Sequence, residues 1–250
     1  AFVFMAAIAI YQRATGPTYP TRGSYEFEGE KIKYKLPRSS DAVEGEKIQV
    51  EVPNKQIVAK MNYRRFKSYD EWTAVEMKRE GDMLTATLPP LPAAGKMMYD
   101  VSLSKNGTDY KVIIKEPVVL RYKGVVPLFI LYPHIFLMFV AMVFSTRTAL
   151  EVLFKGNNVM IMTIITTVSF TLGGMILGPI VQDYAFGAFW TGWPFGHDLT
   201  DNKTLASLIM WIVAWWQLRK NPNAKYWALI AAVVLLAVYL IPHSVLGSEI

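Results

Sequence analysis

The chain has three histidines, His134, His197 and His243. Imidazole is the commonest protein ligand for haem iron, copper and zinc at neutral pH. His134 heads a stripe, His134, Met138 and Met142, at i, i+4 and i+8, so one imidazole and two thioethers share a helix face. That set suits Cu(I) or a His/Met haem. Methionine also fills irregular core gaps, and a buried histidine also hydrogen-bonds between helices, so a packing reading stands beside the ligand reading. Pro133 withdraws the helix bond to the Phe129 carbonyl, and an opened backbone in an apolar setting needs a partner. An ionisable residue at that depth is a functional candidate by default.

A second set lies in the stretch 183–203, which carries Phe186, Phe189, Trp190, Trp193 and Phe195 and then His197, Asp198, Asp201 and Asn202. The last four supply donors for a divalent cation, although no glycine-punctuated calcium loop surrounds them. Asp201 is also placed to cap the N-terminus of a following helix. Phe189, Trp190 and Trp193 read as an interfacial aromatic belt, or as a stacking platform for a flat cofactor or quinone. The run Phe189-Trp190-Thr191-Gly192-Trp193 followed by Asp198 resembles the tryptophan-rich, outward-facing segment of cytochrome c biogenesis haem-handling proteins. The resemblance is confined to Phe189–Asp198 and departs from that family's spacing by an insertion. Asn106-Gly-Thr108 and Asn202-Lys-Thr204 match the glycosylation acceptor pattern by chance.

Other chemistries have no residues to carry them. With no cysteine, disulfides, c-type haem, Cys-ligated iron-sulfur clusters and thiolate metal sites are excluded. No phosphate-cradling loop, Gly-x-Ser-x-Gly elbow, His-Glu-x-x-His or dinucleotide fingerprint occurs. No catalytic residue is assigned. The apolar segments also lack the acidic residues of a proton pump.

The elements that must hold these groups are largely apolar. The 250 residues are 52% hydrophobic and 18% charged, with a mean hydropathy of +0.24, which marks a membrane protein. Net charge is +6, but the cations cluster at the ends of uncharged runs with no aromatic-interleaved basic stripe. A lipid bilayer is therefore the expected partner and nucleic acid is not. Ala1 to Ile10 is shorter than the roughly 20 residues needed to span, so residues 1–13 read as the end of an N-terminal transmembrane helix, with the end of a signal segment as the alternative. Four further apolar segments run Val125 to Ser145, Val159 to Val181, Leu205 to Leu218 and Tyr226 to Ile241. Gly174 and Gly178 in the second form a small-xxx-small pair for close helix approach. His134 lies about nine residues, or roughly 14 Å, below the start of the first of the four.

Between these parts, 23–123 is expected to be a separate β-domain. Alternating runs at Tyr25–Phe27, Ile32–Leu36, Ile48–Val52, Ile57–Phe66, Trp72–Met77, Met83–Leu88, Met98–Leu103, Tyr110–Ile114 and Val118–Tyr122 are punctuated by turn residues. Short strands at that spacing suggest an immunoglobulin or fibronectin III-like sandwich, with Tyr99 a candidate tyrosine corner.

The predicted fold is thus a membrane α-helical bundle of four to five transmembrane helices with an inserted extracytoplasmic all-β sandwich. The remaining domain, 124–250, has four helices and the aromatic loop 183–203. Arg147 and Lys155, and Arg219, Lys220 and Lys225, mark two connections as cytoplasmic, leaving the β-domain, the aromatic loop and the C-terminus outside, as in a bacterial inner (cytoplasmic) membrane protein.

The expected function is a non-catalytic accessory or assembly subunit docking with other membrane subunits. The alternative is a redox protein holding haem b or copper. Its cofactor-binding set would be His134, Met138, His243, Trp190 and Trp193, and its metal set His134, His197, Asp198, Asp201 and His243. Ring nitrogens of His134 and His243 within roughly 4 Å would let the two share a metal. A third expectation is an enzyme acting on lipid or quinone at the outer interface.

Overall fold

A computed structural model of the chain describes residues 1–16, 18–41 and 44–241. It forms two compact units, Thr18–Val125 and, from both ends of the chain, Ala1–Pro17 with Val126–Ile250.

The first of these is built from β1 (Thr21–Phe27), β2 (Glu30–Leu36), β3 (Ser39–Asp41), β4 (Glu46–Glu51), β5 (Val58–Arg65), β6 (Thr73–Glu76), β7 (Lys78–Glu80), β8 (Met83–Leu88), β9 (Lys96–Ser104), β10 (Lys111–Val112) and β11 (Val118–Lys123). One sheet has the order β1-β2-β4-β8-β7 and the other β3-β11-β9-β5-β6, with β10 against β9. Pairing is antiparallel except between β3 and β11. Alternation explains the faces. In β2, Ile32 and Leu36 are buried while Lys31, Lys33 and Lys35 are exposed, the period of two that a half-buried strand imposes. Glu28 and Gly29 both take positive φ, 52° and 79°, which gives a tight turn whose twist matches the β1–β2 pair.

Both sheets bury one common core. Ile48, Val50, Leu84 and Leu88 come from one, Met61, Tyr99, Val101 and Leu120 from the other. Two tyrosines pin distant chain segments: Tyr99 donates to the Pro37 carbonyl at 2.8 Å and Tyr122 to the Pro89 carbonyl at 2.7 Å. The expectation of a local tyrosine corner at Tyr99 is therefore corrected, since its acceptor lies 62 residues away. Burial pushes the Tyr122 hydroxyl up to about 12 and that of Tyr99 upward too. The nine strands read from the alternating runs are present. β3 and β7 were not expected, because three residues are too few to display a period.

The helical unit contains α1 (Phe2–Thr15), α2 (Leu128–Leu153), α3 (Val159–Phe170), a π-helical segment (Thr171–Leu177), α4 (Gly178–Phe186), α5 (Leu199–Lys220) and α6 (Tyr226–Leu240). α3, the π segment and α4 form one continuous rod, so the described residues hold five helical rods. Two of them, Leu128–Leu153 and Val159–Phe186, are long and apolar enough to cross a membrane. Neighbours run α2, α3, α5, α6 and back to α2, closing a four-helix ring, and α1 lies on α2, where Phe2 meets Phe139 edge-on. The core holds Met142, Phe170, Leu208, Trp211 and Leu235 with Ala141, Ala214, Ala228 and Ala231. Several threonines donate back one turn, as Thr148 does to Phe144 and Thr166 to Met162, which satisfies those hydroxyls inside an apolar bundle.

Several boundaries differ from expectation. α2 continues past Ser145 to Leu153, so Arg147 is helical and not in a connection. The short segment Leu205 to Leu218 lies, as a cap near Thr200 or Asp201 implied, in a helix that begins earlier, the 22-residue α5. The aromatic loop shrinks to 187–198, because Asp183–Phe186 and Leu199–Lys203 are helical. At α2 and around the loop, polar residues continue helices whose apolar centre was the legible part.

Candidate functional site

His134 lies six residues into α2, whose first residue is Leu128. That is about 1.7 turns, or about 9 Å, shallower than expected. Its Nδ1 stands 2.9 Å from the Gly173 carbonyl in the π segment. The same carbonyl accepts the Gly178 N–H in the wider i→i+5 pattern. His134 therefore bonds to a backbone group that the π turn displaces. The two rods also approach closely here. A Cβ on Gly173 would fall 2.9 Å from Leu137 Cβ and 3.1 Å from the Met138 nitrogen. A Cβ on Gly174 would fall 3.2 Å from Thr204 Cγ2 and 3.5 Å from Met138 Sδ. The expected Gly174/Gly178 pair is thus shifted: Gly173 and Gly174 carry the contact, while Gly178 keeps ordinary distances of 3.6 and 3.8 Å. Met138 and Met142 pack in the bundle core.

The aromatic loop is held by side chains of α5. Asp198 is the N-cap, accepting from the Thr200 and Asp201 nitrogens at 2.8 and 3.0 Å. This corrects the assignment of that role to Asp201. The Asp201 carboxylate, 5% exposed, instead accepts from the Thr191 nitrogen at 2.6 Å, from Thr191 Oγ1 at 3.2 Å and from Gln182 Nε2 at 3.2 Å. Asn202 Oδ1 accepts from the Trp193 nitrogen at 2.7 Å. Gly192 lies against both, since a Cβ there would come 2.6 Å from Asp201 Cβ. The Trp190 indole donates to the Trp193 carbonyl at 3.1 Å. On this frame Phe189, Trp193, Phe195 and His197 are exposed. Lys203, buried in the first turns of α5, donates to the Ile241 carbonyl at 2.9 Å.

A third polar cluster closes the opposite end of the ring. Glu151, 6% exposed, pairs with Arg147 at 2.8 Å. It also accepts from the Asn158 nitrogen and Nδ2 at 3.2 and 3.3 Å. Its carboxylate fills the space a side chain at Gly156 would need, and Lys225 donates to the Gly156 carbonyl at 2.7 Å. One carboxylate and one lysine thus join the end of α2, the start of α3 and the start of α6.

Of the residues proposed for metal or cofactor binding, Asp198 and Asp201 meet in the first turn of α5, and Trp190 and Trp193 meet in the loop. His134 and Met138 share the α2 face toward the π segment, His197 is exposed, and His243 lies outside the described residues. Among the described residues no three of His, Asp and Glu are grouped as metal ligands. The sequence reading missed Gln182, Thr191, Gly173 and the Glu151–Gly156–Lys225 cluster. The adjacent glycines Gly173 and Gly174 within an apolar run, followed by Pro179, were the available signal for an irregular helix. No protein-family model matches this chain. No curated protein matches it significantly.

Proposed function

We propose that this chain is an integral membrane protein acting as a non-catalytic accessory or assembly subunit of a larger membrane complex, with an immunoglobulin or fibronectin III-like domain as its outward docking module. The carrying observation is how its buried polar groups are used. Asp198 and Asp201 hold α5 and the loop, Glu151 ties three helix ends, and His134 contacts a displaced carbonyl. Polar groups committed to backbone support a framework role.

Four or five bilayer crossings are supported by the two long apolar rods, by the shorter apolar α1 and α6, and by α5, about 33 Å long at 1.5 Å per residue. Phe129, Tyr132, Ile135 and Phe136 on α2 are exposed, as suits contact with lipid. The cation-rich helix ends favour a cytoplasmic placement of that end and an extracytoplasmic placement of the β unit, in a bacterial inner membrane. Purification of the tagged chain from its native membrane in mild detergent tests the reading. It should co-migrate with other subunits on a native gel, and a lone monomer would overturn the proposal.

A second reading keeps haem b or copper, favoured by His134 and Met138 facing the same π segment. It predicts a visible haem spectrum or stoichiometric copper that is lost in His134→Ala. A colourless, metal-free preparation from cofactor-replete cells would dispose of it.

A further inference from the structure

The end of the helical ring formed by the C-termini of α2 and α5 and the N-termini of α3 and α6 carries Arg147, Lys155, Arg219, Lys220 and Lys225 against the single carboxylate Glu151. Glu151 is already taken by Arg147 and Asn158, and Lys225 is drawn to Gly156. Lys155, Arg219 and Lys220 have no carboxylate partner among the described residues. Two of these cations are held in place. Lys220 Nζ sits 3.6 Å from the centroid of the Trp216 ring, and the Arg219 guanidinium sits 5.6 Å from that of Trp215.

These are parallel i, i+4 pairs on the last turn of α5, and in each the cation folds back over an indole one turn deeper. A cation serving water alone would extend away from the bundle. Here the charge is kept at the level of amphipathic rings, the depth indoles favour at a bilayer interface. Trp216 is half exposed, so acyl-chain contact and phosphate contact are offered together on this turn.

We infer that the Trp215/Trp216/Arg219/Lys220 turn of α5 is a binding site for an anionic phospholipid headgroup. The lipid phosphate meets Arg219 and Lys220, and the upper acyl chain lies on Trp216. The inference rests on the membrane-spanning reading of the helical unit. It goes beyond that reading by naming a ligand and the residues that select it.

The test uses the full chain reconstituted in phosphatidylcholine vesicles, with spin-labelled phosphatidylglycerol or spin-labelled phosphatidylcholine as probe. The motionally restricted fraction reports lipid at the protein surface. The wild-type chain should restrict phosphatidylglycerol several-fold more than phosphatidylcholine. Arg219→Gln with Lys220→Gln should bring that preference close to one, because these two interfacial cations carry the headgroup contact. Trp216→Leu, which keeps every charge but frees Lys220, should lower it about twofold to threefold. Lys31→Gln with Lys33→Gln, the same charge loss on β2, should leave it unchanged.

Equal restriction of the two lipids by the wild-type chain overturns the site without any variant. Undiminished preference in the Arg219/Lys220 variant, or equal loss in the β2 control, overturns it as well. Carbonate extraction of the same vesicles separates the two levels of the claim. A chain washed off the vesicles defeats the membrane reading and the site together, whereas an integrated chain without preference defeats the site alone.

Discussion

Asp198 and Asp201 both position the start of α5, and their surroundings rank them. Asp201 is buried and accepts a backbone N–H, a hydroxyl and an amide. Asp198 makes one capping interaction at a helix start. Removing a buried charged acceptor strands its donors and costs about 2–3 kcal/mol, whereas losing an N-cap costs about 1 kcal/mol. Asp201→Ala should therefore lower stability in detergent by more than Asp198→Ala. Thermal or denaturant unfolding followed by tryptophan fluorescence checks the order, and the reverse order would contradict the loop frame described above. Asp70 in the β unit gives a pH prediction. Hydrogen bonding from Arg65 holds its carboxyl down at about 2, through contacts of 2.6 and 2.9 Å. A depressed folded-state pKa means the pair contributes fully above the unfolded value of about 3.9 and loses its contribution as pH falls through about 2. A carboxyl-carbon NMR titration should place the Asp70 midpoint near the lower value, and Arg65→Gln should raise it.

Among the elements, the rod from Val159 to Phe186 is the least regular. Its π segment places Gly173 against α2 closely enough that even a methyl group meets Leu137 Cβ and the Met138 nitrogen. Gly178, one turn on, meets nothing closer than 3.6 Å. Gly173→Ala should cost about 1–3 kcal/mol by overpacking, and Gly178→Ala should be close to neutral. Unfolding of the two variants side by side is decisive, because propensity alone would favour alanine at both positions. In the β unit, Tyr99→Phe would keep the ring in the shared core and remove the donor to Pro37. Leaving that carbonyl unpaired should cost about 1–3 kcal/mol, measured by unfolding of the full chain.

For the molecule entire, the natural lack of cysteine makes topology measurable with single substitutions. His197→Cys sits on the aromatic loop and Lys155→Cys on the cation-rich end. A membrane-impermeant thiol reagent applied to intact cells should label the first and reach the second only after permeabilisation. The opposite pattern would invert the proposed orientation, and labelling of both without permeabilisation would contradict a bilayer between them. The same experiment bears on the lipid site, since anionic headgroups are drawn to an end whose cations outnumber its acids.

Nine strands, the apolar character of the helical segments and the clustering of cations at helix ends were legible in the residues alone. Each is a local periodicity or a composition, and neighbours in sequence suffice to express it. Contacts between distant residues were not legible. The acceptor of Tyr99 lies 62 positions away. Asp201 had the right type and place for a cap, yet Asp198 took that role because Asp201 is drawn to Thr191 across the loop. His134 was identified as a functional candidate from its chemistry. Its bond to Gly173 depends on a π turn and a close helix crossing, which arise only when two rods pack and the backbone yields where side chains are absent.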